Sequence, residues 1–444
     1  MRIRKEMSEE RDMYTTYYLS SSNNPAGKEA STWIACVYSK ERHGHGAART
    51  ARTARTEEQR RQDLDRISKY RDLEDSIRVQ ASANNYDSAL FQLTSKLLRL
   101  NPEYYTIWNV RRRCLISGLF SAPSGGSSPS KASLNTSQND TTNPSSDYSS
   151  HSSSDATPLH RDSPTTGKSG IIVDDKRRED VEADVNTLQS ELAFTIPLLL
   201  EYPKCYWIWK YRKWLLEQAI VRLPATAARN IWEAELALAS KMLTKDRRNF
   251  HAWGYRRNVV AALESPSLDG KSMVEIEFAY TTRMINVDLS NFSAWHTRSQ
   301  LILRLLDERG ANEVERREFL EAELDLVREA LNVGPEDQSL WYYHQYMVSQ
   351  IVNRADKPTI APALTVAERV TYVKKEIDNI KDLLEDYEDV KWIYESLLEY
   401  TIALKGLGEQ VEDPAKWLAK VRALDPMRAG RWDDVEKQLD ATQH

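Results

Sequence analysis

Five times along its 444 residues the chain places a Trp among the same neighbours. Four copies read Tyr105-Thr-Ile-Trp108-Asn-Val-Arg111, Tyr206-Trp-Ile-Trp209-Lys-Tyr-Arg212, Phe250-His-Ala-Trp253-Gly-Tyr-Arg256 and Phe292-Ser-Ala-Trp295-His-Thr-Arg298. A weaker fifth ends Leu340-Trp341-Tyr-Tyr-His344. From Trp209 to Trp253, Trp295 and Trp341 the steps are 44, 42 and 46 residues. A period of that length holds two helices and two turns. The chain should therefore be a stack of helical hairpins, each burying its apolar side against its neighbours. The step from Trp108 to Trp209 is 101 residues and contains a Ser-rich insertion, which belongs on a surface loop where its entropic cost is mild.

Within a hairpin, the A helix is the amphipathic stretch before the motif, for example Trp232 to Leu243, and the B helix begins at the motif. Asn101-Pro102 reads as a helix start, Asn capping and Pro at the first helical position, and Asp246 and Asp288 read as caps in the same way. The aromatic, the Trp and the Arg fall at i, i+3 and i+6 and read as one column, as in Tyr105, Trp108 and Arg111 or Phe250, Trp253 and Arg256. The ring should wedge between successive hairpins, with Arg held by a neighbour's carboxylate or carbonyl. A Trp buries about 200 Å², enough to dominate the packing of one hairpin. Trp209, Arg212, Trp295, Arg298 and Trp341 are read as structural for the same reason.

The rest of the chain divides by composition. Residues 1–42 are polar and carry the breaker Asn24-Pro25-Ala26-Gly27, so 1–56 is expected to hold little stable structure. From Glu57 to Val79, Leu64, Ile67, Tyr70, Leu73 and Ile77 recur at helical spacing. Residues 121–170 have too few large apolar side chains to offset their ordering entropy and read as a disordered insertion. A second break spans Asn353 to Pro362. Residues 57–440 then form a single helical-repeat domain, with degenerate repeats around Trp392 and Trp432, neither followed by an Arg at the third position.

Composition excludes several function classes. A net charge of −5 gives no global basic field for nucleic acid. The clusters Arg111-Arg112-Arg113 and Arg247-Arg248 fall inside repeat helices or turns. Cys36, Cys114 and Cys205 form no pair at redox or metal spacing and read as reduced thiols. The eight His residues are scattered, with no Cys or carboxylate partner at ligand spacing. No apolar run approaches the ~20 residues of a spanning helix, and the N-terminus has no signal-peptide pattern. A cytoplasmic protein without stable membrane insertion is expected. There is no nucleophile motif, phosphate loop or kinase signature.

The in-register aromatic-x-x-Trp-x-x-Arg repeat resembles that of protein prenyltransferase α-subunits, over roughly residues 60 to 440. The resemblance implies an all-α fold, a right-handed α-α superhelix in which a crescent of hairpins wraps a separate β subunit. That β subunit is an α/α barrel carrying the catalytic zinc, so this chain alone binds no cofactor and is inactive without its partner. Within the family, His45-Gly46 running into Glu57-Glu58-Gln59 and the tail Leu424-Asp-Pro-Met-Arg428 resemble the type II branch, the Rab geranylgeranyltransferases. The Pro-rich leader common in the α-subunit shared by farnesyltransferase and type I geranylgeranyltransferase is absent. The ending resembles the compact fungal form.

The resemblance implies a heterodimer that transfers geranylgeranyl, from geranylgeranyl diphosphate bound at the subunit interface, to C-terminal cysteines of Rab GTPases presented by a Rab escort protein. Lys204 matches the family lysine that reaches the diphosphate, and Tyr206 matches the tyrosine two residues on. Asn249-Phe250-His251 matches an Asn-Tyr-His triplet at the same interface, with Phe in place of Tyr and one hydroxyl lost. His45 matches a His that reaches the partner's zinc, but 44 residues precede it here, a leader that would obstruct its threading. Residues 1–42 are therefore expected to be a mispredicted start or an added exon. Two alternatives stand beside this: the α-subunit shared by farnesyltransferase and type I geranylgeranyltransferase, and a non-catalytic helical-repeat adaptor.

Overall fold

A computed structural model describes residues 56–121, 169–352, 357–409 and 414–441, with side chains from 175 onward in the second stretch. Among the described residues there are fifteen α-helices and no strand. The chain divides at Leu223–Pro224 into two compact units. The expectations for residues 1–42, for His45 and for most of the Ser-rich insertion fall outside the described residues. Helix begins at Ser169, two residues inside the span read as disordered.

The N-terminal unit holds α1 (Glu57–Ser82), α2 (Ser88–Leu100), α3 (Tyr105–Cys114), α4 (Ser169–Glu201) and α5 (Tyr206–Arg222). Thr56 and Gln59 close a capping box at the start of α1, satisfying two otherwise orphaned donors. The apolar stripe read on α1 buries only its C-terminal end. Ile77 is buried, while Leu64 and Ile67 stay exposed because no other described helix covers that end.

The C-terminal unit holds five hairpins. They are α6 (Ala225–Lys245) with α7 (Phe250–Leu263), α8 (Val274–Val287) with α9 (Phe292–Glu308), α10 (Glu313–Val333) with α11 (Gln338–Val352), α12 (Val366–Leu383) with α13 (Lys391–Gly406), and α14 (Ala415–Leu424) with α15 (Ala429–Ala441). No helix among the described residues is long and apolar enough to cross a membrane.

The B helices start later than the sequence suggested. Asn101, Asp246 and Asp288 end A helices, and none is the N-cap of the following helix. Instead their side chains shape the turn: Asn101 Oδ1 accepts from the amide of Glu103, and Asp246 Oδ1 from that of Arg248. An Asn or Asp that bonds the amide two residues on makes an Asx-turn, which competes with capping. The true caps lie four residues before each Trp, where Asn249 and Asn291 accept from amides of the first turn.

Each Trp is pinned in one way. Its indole Nε1 donates to the carbonyl six residues back, from Trp108 to Pro102 (2.8 Å), Trp209 to Pro203 (2.9 Å), Trp253 to Arg247 (2.8 Å), Trp295 to Leu289 (2.7 Å) and Trp341 to Pro335 (2.6 Å). The buried ring thereby closes the A-to-B turn and satisfies its own polar atom. The α12–α13 hairpin corrects the sequence reading. Tyr394, and not Trp392, occupies the Trp position, its hydroxyl donating to the Glu388 carbonyl at 2.8 Å. In the last hairpin the indole of Trp432 reaches seven residues back to Asp425, because a 3₁₀ turn, Pro426–Arg428, shifts the register by one. Trp432 centres a core with Tyr394, Leu398, Leu418, Val421 and Leu439.

The Arg ties one hairpin to the next. Arg111 donates from Nε and Nη2 to both carboxylate oxygens of Glu191 at 2.6 Å, and from Nη1 to Thr94 and Ser95. Arg256 engages Glu277 and Arg298 engages Glu323 with the same fork. Each carboxylate lies on the A helix of the following hairpin, and both partners are buried. A Tyr of that hairpin's B helix donates to the same group: Tyr211 to Glu191 (2.6 Å) and Tyr343 to Glu323 (2.5 Å). Burial first, then the neighbouring carboxylate, pushes both phenols well above their ordinary range, so they stay protonated donors.

Candidate functional site: the outward stripe of the B helices

The column read as aromatic, Trp and Arg does not bury as a unit. The aromatic three residues before each Trp is exposed: Tyr105 by 52%, Tyr206 by 48%, Phe250 by 67% and Phe292 by 50%. The reason is helical geometry. At about 100° per residue, each i to i+3 step drifts by roughly 60°, so the first and last members lie ~120° apart. With Trp and Arg turned inward, the ring must point out.

A second stripe results. Positions three before, one after and four after each Trp are spaced i, i+4 and i+7 and share a face. On α3 these are Tyr105, Asn109 and Arg112, and on α5 Tyr206, Lys210 and Lys213. On α7 they are Phe250, Gly254 and Arg257, and on α9 Phe292, His296 and Ser299. Rings dominate its N-terminal end. Tyr105 lies tilted 5.1 Å from Trp207, Phe292 lies 6.0 Å from His296, and Tyr342 bridges Phe292 (6.4 Å) and Trp392 (6.0 Å). His296 is held below its usual value, by burial first and then by the charge of Arg257.

The residues carried over by resemblance sit at the same N-terminal ends. Lys204 is exposed in the turn before α5, and Tyr206 is the first residue of that helix, its ring 5.1 Å from Trp207. The structure thus brings Lys204 and Tyr206 to one open turn of the N-terminal unit. His251 belongs to the C-terminal unit, half-buried at the start of α7, its amide donating to Asn249 Oδ1 and its ring 4.0 Å from Phe250. Asn249 itself is buried as the cap of α7. Among the described residues no group of three or more His, Cys, Asp or Glu side chains is placed to hold a metal. Cys114 and Cys205 are buried, and burial pushes both thiols up to about 11, which removes thiolate reactivity.

Five segments match the model of the protein prenyltransferase alpha subunit repeat: residues 87–117, 188–219, 232–263, 274–305 and 320–351. Each ends in a B helix carrying one of the five repeat Trp residues. The chain belongs to the protein prenyltransferase alpha-subunit family. Three family relatives align over most of their length. A Schizosaccharomyces pombe protein named geranylgeranyl transferase type-2 subunit alpha is 28% identical, covering 87% of this chain and 96% of its own. The Saccharomyces cerevisiae and Dictyostelium discoideum proteins of the same name are 27% and 26% identical, over 87% and 89% of this chain and 97% and 100% of theirs.

Two sets of prenyltransferase-repeat residues escaped the sequence reading. One is the carboxylates Glu191, Glu277, Glu323 and Glu376. The other is Asn291 and Cys205, which reach back to the preceding hairpin's turn, Asn291 Nδ2 donating to the Arg247 carbonyl (3.0 Å) and Cys205 Sγ to that of Pro102 (3.5 Å). A signal for the first set was present, since each Glu stands 18 residues before the Trp or Tyr of its own hairpin: 191 and 209, 277 and 295, 323 and 341, 376 and 394.

Proposed function

We propose that this chain is the α subunit of a heterodimeric geranylgeranyltransferase of type II, attaching geranylgeranyl from geranylgeranyl diphosphate to C-terminal cysteines of Rab GTPases. The outward stripe carries the reading. A repeat that hides every Trp and Arg yet leaves a large ring open at the head of successive B helices is suited to a subunit interface, where aromatic side chains are enriched. The names and full-length alignment of the relatives support the same assignment. Prenyl transfer needs a metal to activate the acceptor thiol and cations to stabilise the departing diphosphate. The β subunit supplies the zinc. Lys204, on its exposed turn beside Tyr206, supplies a cation to the diphosphate, and His251 lines the same interface. An escort protein presents the Rab substrate to the assembled enzyme in the cytoplasm.

The test is reconstitution of the full chain with a prenyltransferase β subunit and single-turnover transfer to a Rab protein. Lys204→Ala is expected to slow transfer by about 30- to 1000-fold, the cost of ~2–4 kcal/mol for one lost ion contact to a leaving group, with assembly unchanged. Equal rates for variant and wild type remove Lys204 from the chemistry. Transfer only to short C-terminal motifs on non-Rab substrates would favour the α-subunit shared with farnesyltransferase. Absence of any prenyltransferase partner would favour the adaptor.

A further inference from the structure

Every Arg three residues after a repeat Trp has a partner inside the chain, but the arginines one position further on do not match them. Arg112 lies on α3 with its Nε buried and without a hydrogen-bond partner. Its guanidinium finds only neutral acceptors, Asn109 Oδ1 at 3.0 Å and the Lys210 carbonyl at 3.5 Å, and faces the rings of Trp214 (5.4 Å) and Tyr211 (5.7 Å). Arg257, at the equivalent position of α7, makes no hydrogen bond or ion pair among the described residues. Gln345, at that position of α11, also leaves its Nε2 donor buried and unpartnered. The flanking arginines differ. Arg111 is saturated by Glu191, and Arg113 donates to the Tyr86 hydroxyl at 2.8 Å.

A half-buried Arg whose Nε has no acceptor, as at Arg112, is costly unless something supplies one. Burial lowers both Arg112 and Arg257 from their ordinary value, and for Arg257 burial is the sole cause. Arg257 is exposed, so an incoming group has access. We propose that the fourth position after the repeat Trp, occupied by Arg112 and Arg257, is a receptor for carboxylates of the β subunit, forming ion pairs that complete only on heterodimer assembly. Charge complementarity argues for this occupant. Each site is a forked cation about two turns beyond the exposed ring of its own helix, Arg112 already stripped of part of its water, and a carboxylate meets both N–H prongs of the fork. The inference rests on the reading that a β subunit is the partner.

The experiment is a titration of the full chain with its β subunit, comparing wild type with R112Q, R257Q, the double variant and the control R61Q. Arg61 already pairs with Glu58 on the surface of α1. Each Gln variant is expected to weaken the heterodimer roughly ten-fold or more, mostly through faster dissociation, and R61Q to leave it unchanged. Wild-type affinity should also fall with rising salt, and less steeply in the double variant, a readout that holds even where one variant folds poorly. A double variant with unchanged affinity and salt dependence overturns the proposal. Unchanged affinity with a raised KM for the prenyl diphosphate overturns it too, and assigns the cations to the ligand. Should wild type itself fail to pair with any β subunit, the functional reading falls as well.

Discussion

Two joints in the C-terminal unit do the same task with different chemistry. Between the second and third of its hairpins, Arg298 grips Glu323 with a two-pronged fork while Nη1 donates to Thr282 (2.8 Å) and the guanidinium lies over Phe278 (3.8 Å). One joint further on, His344 stands where Arg is expected. Its Nε2 meets Glu376 at 2.9 Å and its Nδ1 meets the Tyr400 hydroxyl at 2.6 Å. All three groups are buried, and burial pushes the Tyr400 phenol well above its ordinary value, so it stays protonated. An Arg brings a permanent charge and five donors. A His has two ring nitrogens and needs a second partner to be satisfied. The repeat therefore preserves the tie from a B helix to the next A-helix carboxylate, and Tyr400 completes what the shorter side chain leaves unmet.

The largest effect should come from breaking the charged joint. Arg298→Ala leaves Glu323 buried with only Tyr343 to satisfy it, and is expected to cost about 3–5 kcal/mol of unfolding free energy, measured by denaturant titration. Replacing His344 by Ala removes one hydrogen bond each from Glu376 and Tyr400, while the Arg328 guanidinium stays 3.9 Å from that carboxylate. The expected loss is smaller, about 1–3 kcal/mol. Equal losses at the two joints would erase the distinction between them.

A third, weaker tie sharpens the contrast because it is exposed. Arg248 holds Asp288 at 2.8 Å, and this bond is the first cause keeping that carboxyl below its usual range. A depressed carboxyl contributes stability above its unfolded value, near ~3.9, and loses it as pH falls toward the folded value. Arg248→Gln should therefore leave stability at neutral pH nearly unchanged, by less than about 1 kcal/mol, and shift the acid-unfolding midpoint slightly upward. A midpoint identical to wild type contradicts the assignment.

These joints also explain how far the sequence could be read. The Trp spacing revealed the hairpins and their period, because a large buried ring recurs wherever hairpin packing does. The Arg partner was expected as a neighbour's carboxylate without being named. Counting 18 residues back from each repeat Trp after Trp108 would have found it, and the same count forward from Glu376 leads to Tyr394 and not to Trp392. The outward turn of Tyr105, Tyr206, Phe250 and Phe292 was missed for a different reason. A shared face was inferred from i, i+3 and i+6 spacing, whose drift carries the first residue away from the core. Cap positions failed because Asp246 and Asp288 make turns that Asn249 and Asn291 then complete as caps. The placement of Lys204 and Tyr206 on one turn followed from their adjacency in the chain, while their chemical role rests on family resemblance.

Hydroxyl-radical footprinting of the full chain, alone and bound to a prenyltransferase β subunit, tests the outward stripe most directly. Tyr105, Tyr206, Phe250 and Phe292 are open in the free chain and should lose most of their reactivity in the heterodimer, while Leu64 on α1, exposed by 66% and away from the stripe, keeps its own. Rings that stay equally reactive in a stable complex would show that the B-helix stripe is not where the partner binds.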